Sequence, residues 1–598
     1  DLPLFLINAG SDERSVVTLP LPRAPGMRRL FSYQTGDAPT LLVVLDDLTV
    51  TSYDVSAGKA IVKWSRAEGL ATAFKAEFLD LPHHQSEEAA TELELIQSGL
   101  ASRIALHLDK LQRFLLPSRV RSAAESPHNA TRPLLTSAFG FRKLVVVLSR
   151  HGRVFALDSE DGSVLWSRYF PCSQLQQVFV LRSPLHPQPR IAVLAKEGRH
   201  TLLSILNPLS ALEVARHHLA ATVAAATLTP DPLHLLSSSR LLLVDQSTRK
   251  CSVLSIDGGL QPYTSPPASA GGADFVHYAL SPNLVAGYAC DGRSVWHKKF
   301  LSSDEQGSAE VVVAAQAYHH TAPSTPYKVL GNGTMSTKYI NPNKLLVATQ
   351  WKSSQKRESH LNVYLLDTIT GQELLHHSHK HGEEPVHLIQ YQNWVGYQYW
   401  HAHAHRFELV SIELYAPSSL DYHGAFSSYD RLVPAVFSAA FIAPFPLHAM
   451  AVTDSLRGIT PHHLITTTAG GRVVAIDSRI LDPRRPLAAS ITEEQRAEEL
   501  FPYHPEISLP SRAMLSYNLT LHGLYHVATA PTSVESTTLV FAYGLDLFST
   551  RFAPAHQYDL LQEEFNKPLL VCTVIILLAV TIIANAYIQR KNLNHLWR

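Results

Sequence analysis

Hydrophobic and polar positions along the 598-residue chain change rhythm at a few points, and each change predicts a different element. From the first residue to about Pro82, short apolar runs alternate with polar positions and turn residues, as in LLVVLDDLTVTSYDVSAGKAIVKWS (residues 41–65). That period of two predicts β-strands. Over residues 85–118 the period lengthens. Leu93, Ile96, Leu100, Ile104, Leu108, Leu111 and Leu115 recur every three or four positions, and Pro117 ends the pattern. This predicts one amphipathic helix that packs on a domain surface, bridges two domains or lies on a membrane surface. From Leu134 to about Ile480 the strand rhythm returns. The run VPAVFSAAFIAPFPLHAM (residues 433–450) is apolar, but Pro434, Pro444 and Pro446 break it. It is too short to span a bilayer. It reads either as a membrane-proximal connector over 433–453 or as an ordinary buried one. Residues 491–500 predict a short acidic helix, and 539–551 return to strand.

The last change is the sharpest. Residues 569–588, LLVCTVIILLAVTIIANAYI, carry no charge, and Asn585 is their one strongly polar side chain. Twenty residues at a helical rise reach about 30 Å, the thickness of a bilayer's hydrocarbon core. Backbone groups in lipid must bond within the segment, so it is predicted to be a helix. Asp559, Glu563 and Glu564 precede it, whereas Arg590, Lys591 and Arg598 follow it. The positive-inside rule places the tail 589–598 in the cytosol and the rest of the chain across the membrane, with 558–568 a short juxtamembrane helix.

Within the strand-rich part a unit repeats. GRVFALD at 152–158 recurs as GRVVAID at 471–477. An Asp-x-x-x-Gly turn followed by an apolar residue or Trp occurs at Asp54, Gly58 and Trp64, at Asp158, Gly162 and Trp166, and at Asp367, Gly371 and Leu375. A weaker copy lies at Asp291, Gly292 and Trp296. Two strands joined by a tight turn, with a terminal Trp able to dock on a neighbouring unit, predict β-propeller blades over 134–432. Separate β-sandwiches are the rival architecture. The fold class is therefore mainly β: a β-propeller, with two propellers allowed and one of them incomplete, plus one amphipathic helix and one C-terminal transmembrane helix. Residues 1–84 read as the end of an N-terminal propeller region, and 454–557 as a further β region.

Charge and composition narrow the function. Lys+Arg and Asp+Glu are equal at 51 each, which argues against nucleic acid as the main partner. Sequons at Asn129, Asn332 and Asn518 all lie upstream of the apolar segment and are candidate glycosylation sites on a translocated domain. Cys172, Cys251 and Cys290 allow at most one intramolecular disulfide, and Cys572 lies in the span. The opening Asp1-Leu-Pro-Leu-Phe-Leu has neither a basic region nor a long apolar core. A translocated chain is thus expected to begin internally, with further residues ahead of it.

The chain contains no G-x-x-x-x-G-K-[ST], G-x-G-x-x-G, H-E-x-x-H, C-x-x-C or G-x-S-x-G. His401, His403 and His405 alternate and would share one face of a strand, where a transition metal could bind. No acid or Cys nearby in sequence completes such a site. His376, His377, His379 and His381 read as a loop. A quinone-dependent enzyme built on propeller blades is imaginable, but no residue set here would hold the cofactor. No cofactor, metal or catalytic residue is predicted. Asn585 would seek a partner helix or the interface. Arg484 and Arg485, between Pro483 and Pro486, would either bind a partner's acids or pin the last blade.

A family resemblance attaches to particular residues. His463-Leu-Ile, LDPRRP (481–486), Tyr525 with Ala530-Pro-Thr and Glu535-Ser-Thr, FAYGLD (541–546), and the closing Asn594 with Trp597-Arg598 resemble the subunit 1 family of the endoplasmic reticulum (ER) membrane protein complex. So do YINPN (339–343), Asn393-Trp-Val with YQYW (397–400), and Glu413-Leu-Tyr. The resemblance is strong from about Lys338 to the end and thinner before it. It implies a non-enzymatic lumenal scaffold with other subunits of the complex as partners, single-pass in the ER membrane with a cytosolic tail. The complex is an insertase for tail-anchored and multi-pass clients. The chain departs from the family pattern in lacking the signal peptide and the early blades, so a propeller closed by those strands would be incomplete. The competing function is a type I receptor or quality-control protein with a propeller ectodomain.

Overall fold

The computed structural model describes residues 2–7, 14–19, 27–35, 38–56, 59–82, 139–171, 174–182, 189–220, 222–230, 239–254, 259–263, 276–300, 310–317, 325–352, 359–417, 427–559 and 567–596. It contains two units, one of residues 1–82 and 136–556, the other of 83–135 and 557–598. The predicted amphipathic helix over 85–118 and most of the predicted helix 558–568 lie outside the described residues.

Among the described residues, eight antiparallel meanders of three or four strands follow one another from Ala73 to Phe552, with a two-stranded hairpin inserted in one of them. Blade 1 joins Ala73–Asp80 to the three strands between Lys143 and Tyr169. Blades 2 to 4 run through 174–219, 223–262 and 276–299, and blades 5 to 8 through 311–380, 382–443, 447–477 and 524–552. Each blade is apolar on both faces of its middle strands because it lies between two others; Lys143–Ser149 and Thr538–Gly544 are buried at every position. Neighbouring blades share apolar cores around the ring. Phe179, Leu203 and Leu241 join blades 2 and 3, and Val285, Phe300 and Val347 join 4 and 5. Val363, Tyr397 and Ile412 join 5 and 6, and Ile465 and Val540 join 7 and 8.

The last sheet packs on the first: Phe541 and Tyr543 of blade 8 share a core with Ala73, Val145 and Phe155 of blade 1. The ring therefore closes within this chain as an eight-bladed propeller. This corrects three boundaries. The strand Ala73–Asp80 belongs to blade 1 rather than to an N-terminal region ending at 84. The described strands from Lys143 to Tyr415 and from His463 to Phe552 are parts of one ring rather than of two regions. The apolar stretch 433–453 is not a connector. It holds the outer strand of blade 6, Ala435–Ala443, and the inner strand of blade 7, Leu447–Val452, with only the Pro444–Pro446 corner between them. Those prolines end one strand and start the next, since a proline within a ladder would remove a donor.

Before the ring lies a six-stranded sheet formed by strands between Leu2 and Ala67. Its core is Leu41, Val43, Leu45, Tyr53 and Val55. It meets blade 1 through Asp47, which is fully buried, pairs with the Arg153 guanidinium and accepts from both Thr49 N–H and Thr49 Oγ1.

The repeated turn chemistry is visible in the blades. Asp367 Oδ1 accepts from Ile369 N–H, while Gly371 N–H donates to the Asp367 carbonyl. Asp158 and Gly162 repeat both bonds. The indole of Trp166 donates to the Pro208 carbonyl of blade 2, and that of Trp296 to the Thr368 carbonyl of blade 5. These two Trp residues thus tie blade 1 to a turn of blade 2 and blade 4 to a turn of blade 5. Gly371 has φ +69°, and a Cβ there would lie 2.5 Å from the Trp296 ring. Gly371→Ala should lower stability by about 1–3 kcal/mol, from the left-handed backbone and the displaced indole. Chemical denaturation of the propeller would read this as a lower midpoint with unchanged slope; an unchanged midpoint would refute the docking role.

The second unit contributes a 30-residue helix, Lys567–Leu596. Its residues Leu569–Asn592 are long and apolar enough to cross a membrane, and none of its most apolar stretch is buried. Thr573 and Thr581 turn their hydroxyls back onto the carbonyls of Leu569 and Leu577, which satisfies them inside an apolar helix.

Candidate functional site

Blade 5 carries an insertion between its first two strands, a hairpin of Tyr327–Val329 and Met335–Thr337. The hairpin reaches across blade 6, where Lys338 bridges to Tyr415, and meets the excursion 478–501 that follows blade 7. A cavity of about 310 Å³ opens there, lined by Tyr327, Lys328, Glu413, His462, Asp482 and Phe501 among others. Its charges are matched. Lys328 Nζ donates to Asp482 Oδ2 at 3.0 Å and Glu413 Oε2 at 3.3 Å. Arg484 Nη2 donates to Glu498 Oε2 at 2.7 Å, and Gly331 N–H donates to the other oxygen of Glu498. Tyr415 O–H donates to Glu413, and burial followed by this carboxylate drives the phenol pKa upward. A short helix, Glu493–Ala497, opened by a Thr492–Gln495 capping box, presents Glu498 to the cluster.

Arg484 keeps 12% of its side-chain surface and spends its charge on Glu498, Asp482 and Glu413. Arg485 donates to the carbonyls of Ile480, Phe501 and Pro502 and lies 5.6 Å above the Phe441 ring. Both arginines therefore hold the blade 7 excursion onto blade 6. Sequence alone could not choose between this and a partner's acids, because Glu413 and Phe441 are distant in the chain.

Asn332 is exposed on the hairpin tip, with Thr334 N–H and Oγ1 both donating to its Oδ1. Asn518 is exposed in the loop between blades 7 and 8, and Asn129 lies outside the described residues. Asn585 is exposed on the C-terminal helix.

The histidines are placed differently from the sequence reading. His376, His377 and His379 lie on the outer strand of blade 5, Glu373–Lys380, not in a loop. His401 ends a strand, whereas His403 and His405 lie in the turn after it, so the three share no strand face. What the sequence missed is a directed hydrogen-bond chain across blades 5 and 6. Tyr399 O–H donates to Glu408, so His379 Nδ1–H must donate to Tyr399; His379 Nε2 then accepts from Tyr397 O–H at 2.6 Å. His377 Nδ1–H in turn donates to Tyr397. No local pattern announces this chain, because its members come from three strands.

With a neutral His379 the chain runs in this one direction. Burial, then His377 beside it, pushes its pKa down to about 4, against about 6.5 in an unfolded chain. The neutral form is thus favoured by folding. Its contribution is complete above pH 6.5 and is lost as pH falls from 6.5 toward 4. Thermal melts should show stability falling across that window. His379→Gln, which cannot titrate, should make the slope shallower, His277 and other buried histidines keeping the remainder, and an equal slope in the variant would count against the assignment.

Cys251, His277 and Cys290 bring three ligand-type atoms within 4.8 Å of one another, all buried. The two sulfurs are joined as a disulfide, which leaves no thiolate to hold a metal. This disulfide links the third strand of blade 3 to the turn after Ala289 in blade 4, beside a backbone bond from Cys251 N–H to the Cys290 carbonyl. His277 lies against it, its pKa pushed down to about 4 by burial and then by Arg249.

A closed propeller with blades 3 and 4 cross-linked and, among the described residues, one helix long and apolar enough to cross a membrane define a β-propeller protein with a candidate membrane span. A family model described as "ER membrane protein complex subunit 1, second beta-propeller" matches residues 140–555. ER membrane protein complex subunit 1 of Xenopus laevis is 30% identical over 577 residues, covering 90% of this chain and 56% of that protein. The Gallus gallus counterpart is 29% identical over 573 residues, with the same coverage, and that of Schizosaccharomyces pombe 24% over 598 residues, covering 98% and 64%. The chain belongs to the ER membrane protein complex subunit 1 family. It spans about half the length of the vertebrate relatives it matches.

Proposed function

We propose that this chain is a non-enzymatic lumenal scaffold of the ER membrane protein complex, supporting the insertion of tail-anchored and multi-pass proteins into the ER bilayer. The observation that carries the reading is the pairing, in one family member, of a disulfide-linked propeller with a C-terminal apolar helix followed by Arg590 and Lys591. A disulfide suits the oxidising lumen, and basic residues after a span suit the cytosol. Together they support a type I orientation. A ring of eight blades offers rigid outer faces to other subunits.

Glycans on Asn332 and Asn518 belong to the same reading, since both are exposed on the lumenal part. The test is a mild-detergent pull-down through a C-terminal tag from ER membranes, with protease protection and endoglycosidase digestion of the same membranes. A stoichiometric set of other ER membrane proteins, a protected propeller and a mobility shift support the proposal. Recovery of the chain alone would favour the receptor or quality-control reading. Protease cleavage of the propeller from the cytosolic side would refute the orientation.

A further inference from the structure

The outer strands of a propeller are open edges, and most of those in this ring are blunted. Arg168 lies in the outer strand of blade 1, and Glu213 and Arg216 lie in that of blade 2. Blade 3 ends in Pro262, blade 4 in Lys298 and Lys299, and blade 5 carries Glu373 and Lys380. Blade 8 carries Arg551. The outer strand of blade 7 is covered by the chain itself, through Met514 and Leu515. Charges and prolines of this kind keep edges from pairing with other chains. Blade 6 is the exception among the described residues. Its outer strand, Ala435–Ala443, reads AVFSAAFIA and contains neither.

Half of this edge is already paired. Ile442 N–H donates to the Pro505 carbonyl and Ile507 N–H to the Ile442 carbonyl, a parallel bridge made by the chain's own 505–507 segment. Tyr503 O–H donates to the Ala440 carbonyl. Because outward-facing backbone groups alternate along a strand, those of Ser438 and Val436 face the same way as those of Ile442. No described residue meets them. Around them Val433 is 60% exposed, Phe437 44% and Val436 37%.

We propose that the Ala435–Ala440 edge of blade 6 is a β-augmentation site for an uncharged, extended segment of another protein in the complex. The ladder groups of Val436 and Ser438 would supply the main-chain bonds, and Val433, Val436 and Phe437 would take apolar side chains. The existing 505–507 bridge shows that the edge has pairing geometry. This inference rests on the scaffold reading, which supplies the second chain.

The test uses the full-length chain in ER membranes with a photoreactive residue at position 438, followed by purification through a C-terminal tag. The expected product is a cross-link to a peptide of one co-purifying subunit. A cross-link to this chain's own 418–426 segment, a cross-link to lipid, or none from an intact complex overturns the site and leaves the scaffold reading standing. Loss of the entire co-purifying set, with or without a cross-link, would instead sink the scaffold reading. As a second variant, Val436→Lys should cut recovery of that one subunit at least tenfold while the others remain. Recovery at the unaltered ratio overturns the proposal. Independently of any substitution, the Val436 and Ser438 amides should exchange hydrogen slowly in the complex and rapidly in the chain purified alone; equal rates in both would also overturn it.

Discussion

Replacing Leu577 and Leu578 together with arginine should release the chain from the membrane. Both side chains are more than 60% exposed, with no protein around them in the described structure. They sit at the middle of the 569–588 segment, where each arginine costs about 2.5–3.5 kcal/mol, or about 5–7 kcal/mol for the pair. No second helix of spanning length is present among the described residues to compensate. Snorkelling offers little relief, because the centre of the span is equally far from both interfaces. The measurement is alkaline carbonate extraction of microsomes: the unaltered chain should remain in the pellet and the variant should enter the supernatant. A variant that still resists extraction would show that this helix is not the anchor. Asn585→Leu should leave integration intact, since it only removes a polar group from the helix.

The second large effect is expected at the disulfide between blades 3 and 4. Cys251 and Cys290 are 4% and 7% exposed and close a loop of 39 residues in sequence separation. On the chain-entropy account such a loop contributes about 4 kcal/mol. Cys251→Ser with Cys290→Ser should therefore lower the melting temperature of the propeller by roughly 5 °C, in keeping with its large size. The effect should exceed that of most surface changes, because the ring has few other covalent constraints and each blade relies on its neighbours. The bridge between Lys250 and Asp291 and the Cys251–Cys290 backbone bond should keep the two blades adjacent, so the variant should fold. Its melting should be insensitive to reductant, whereas that of the unaltered chain should fall to the variant's value. If reductant leaves the unaltered chain's melting where it was, the disulfide contributes nothing to the ring.

The edge of blade 6 and the His379 chain show how stability and recognition divide in this fold. His377, Tyr397, His379, Tyr399 and Glu408 bury polar groups and satisfy each in turn, which ties two blades together at near-neutral pH. One strand further out, on the edge beside the strand of Glu408, Val436 and Phe437 leave backbone and apolar surface open. Buried polar groups without partners are costly, so the first arrangement is complete within the chain. An exposed edge is tolerated in an isolated chain only at the risk of pairing, so the second is available for another protein.

Some of this was written in the sequence because it depends on neighbours along the chain. The apolar run ending at Ile588, the basic residues after it, the Asp-x-x-x-Gly turns and the Trp positions that dock on the next blade are all local patterns. Turn geometry and helix length follow from a few consecutive residues, so composition and spacing sufficed for them. The paired motif GRVFALD and GRVVAID marked equivalent turns, and Gly152 and Gly471 both adopt left-handed φ there. Only the tertiary structure decided the rest. It placed Ala73–Asp80 in blade 1, closed the ring through Phe541 and Tyr543, chose Cys290 as the partner of Cys251, and set Arg484 against Glu498 and Glu413. The reason is that a period of two says a segment is a strand and which face is apolar, but not which strand lies beside it. Pairing between distant segments is chosen by the packing of whole blades against one another, and that sum is not legible in any one stretch of the chain.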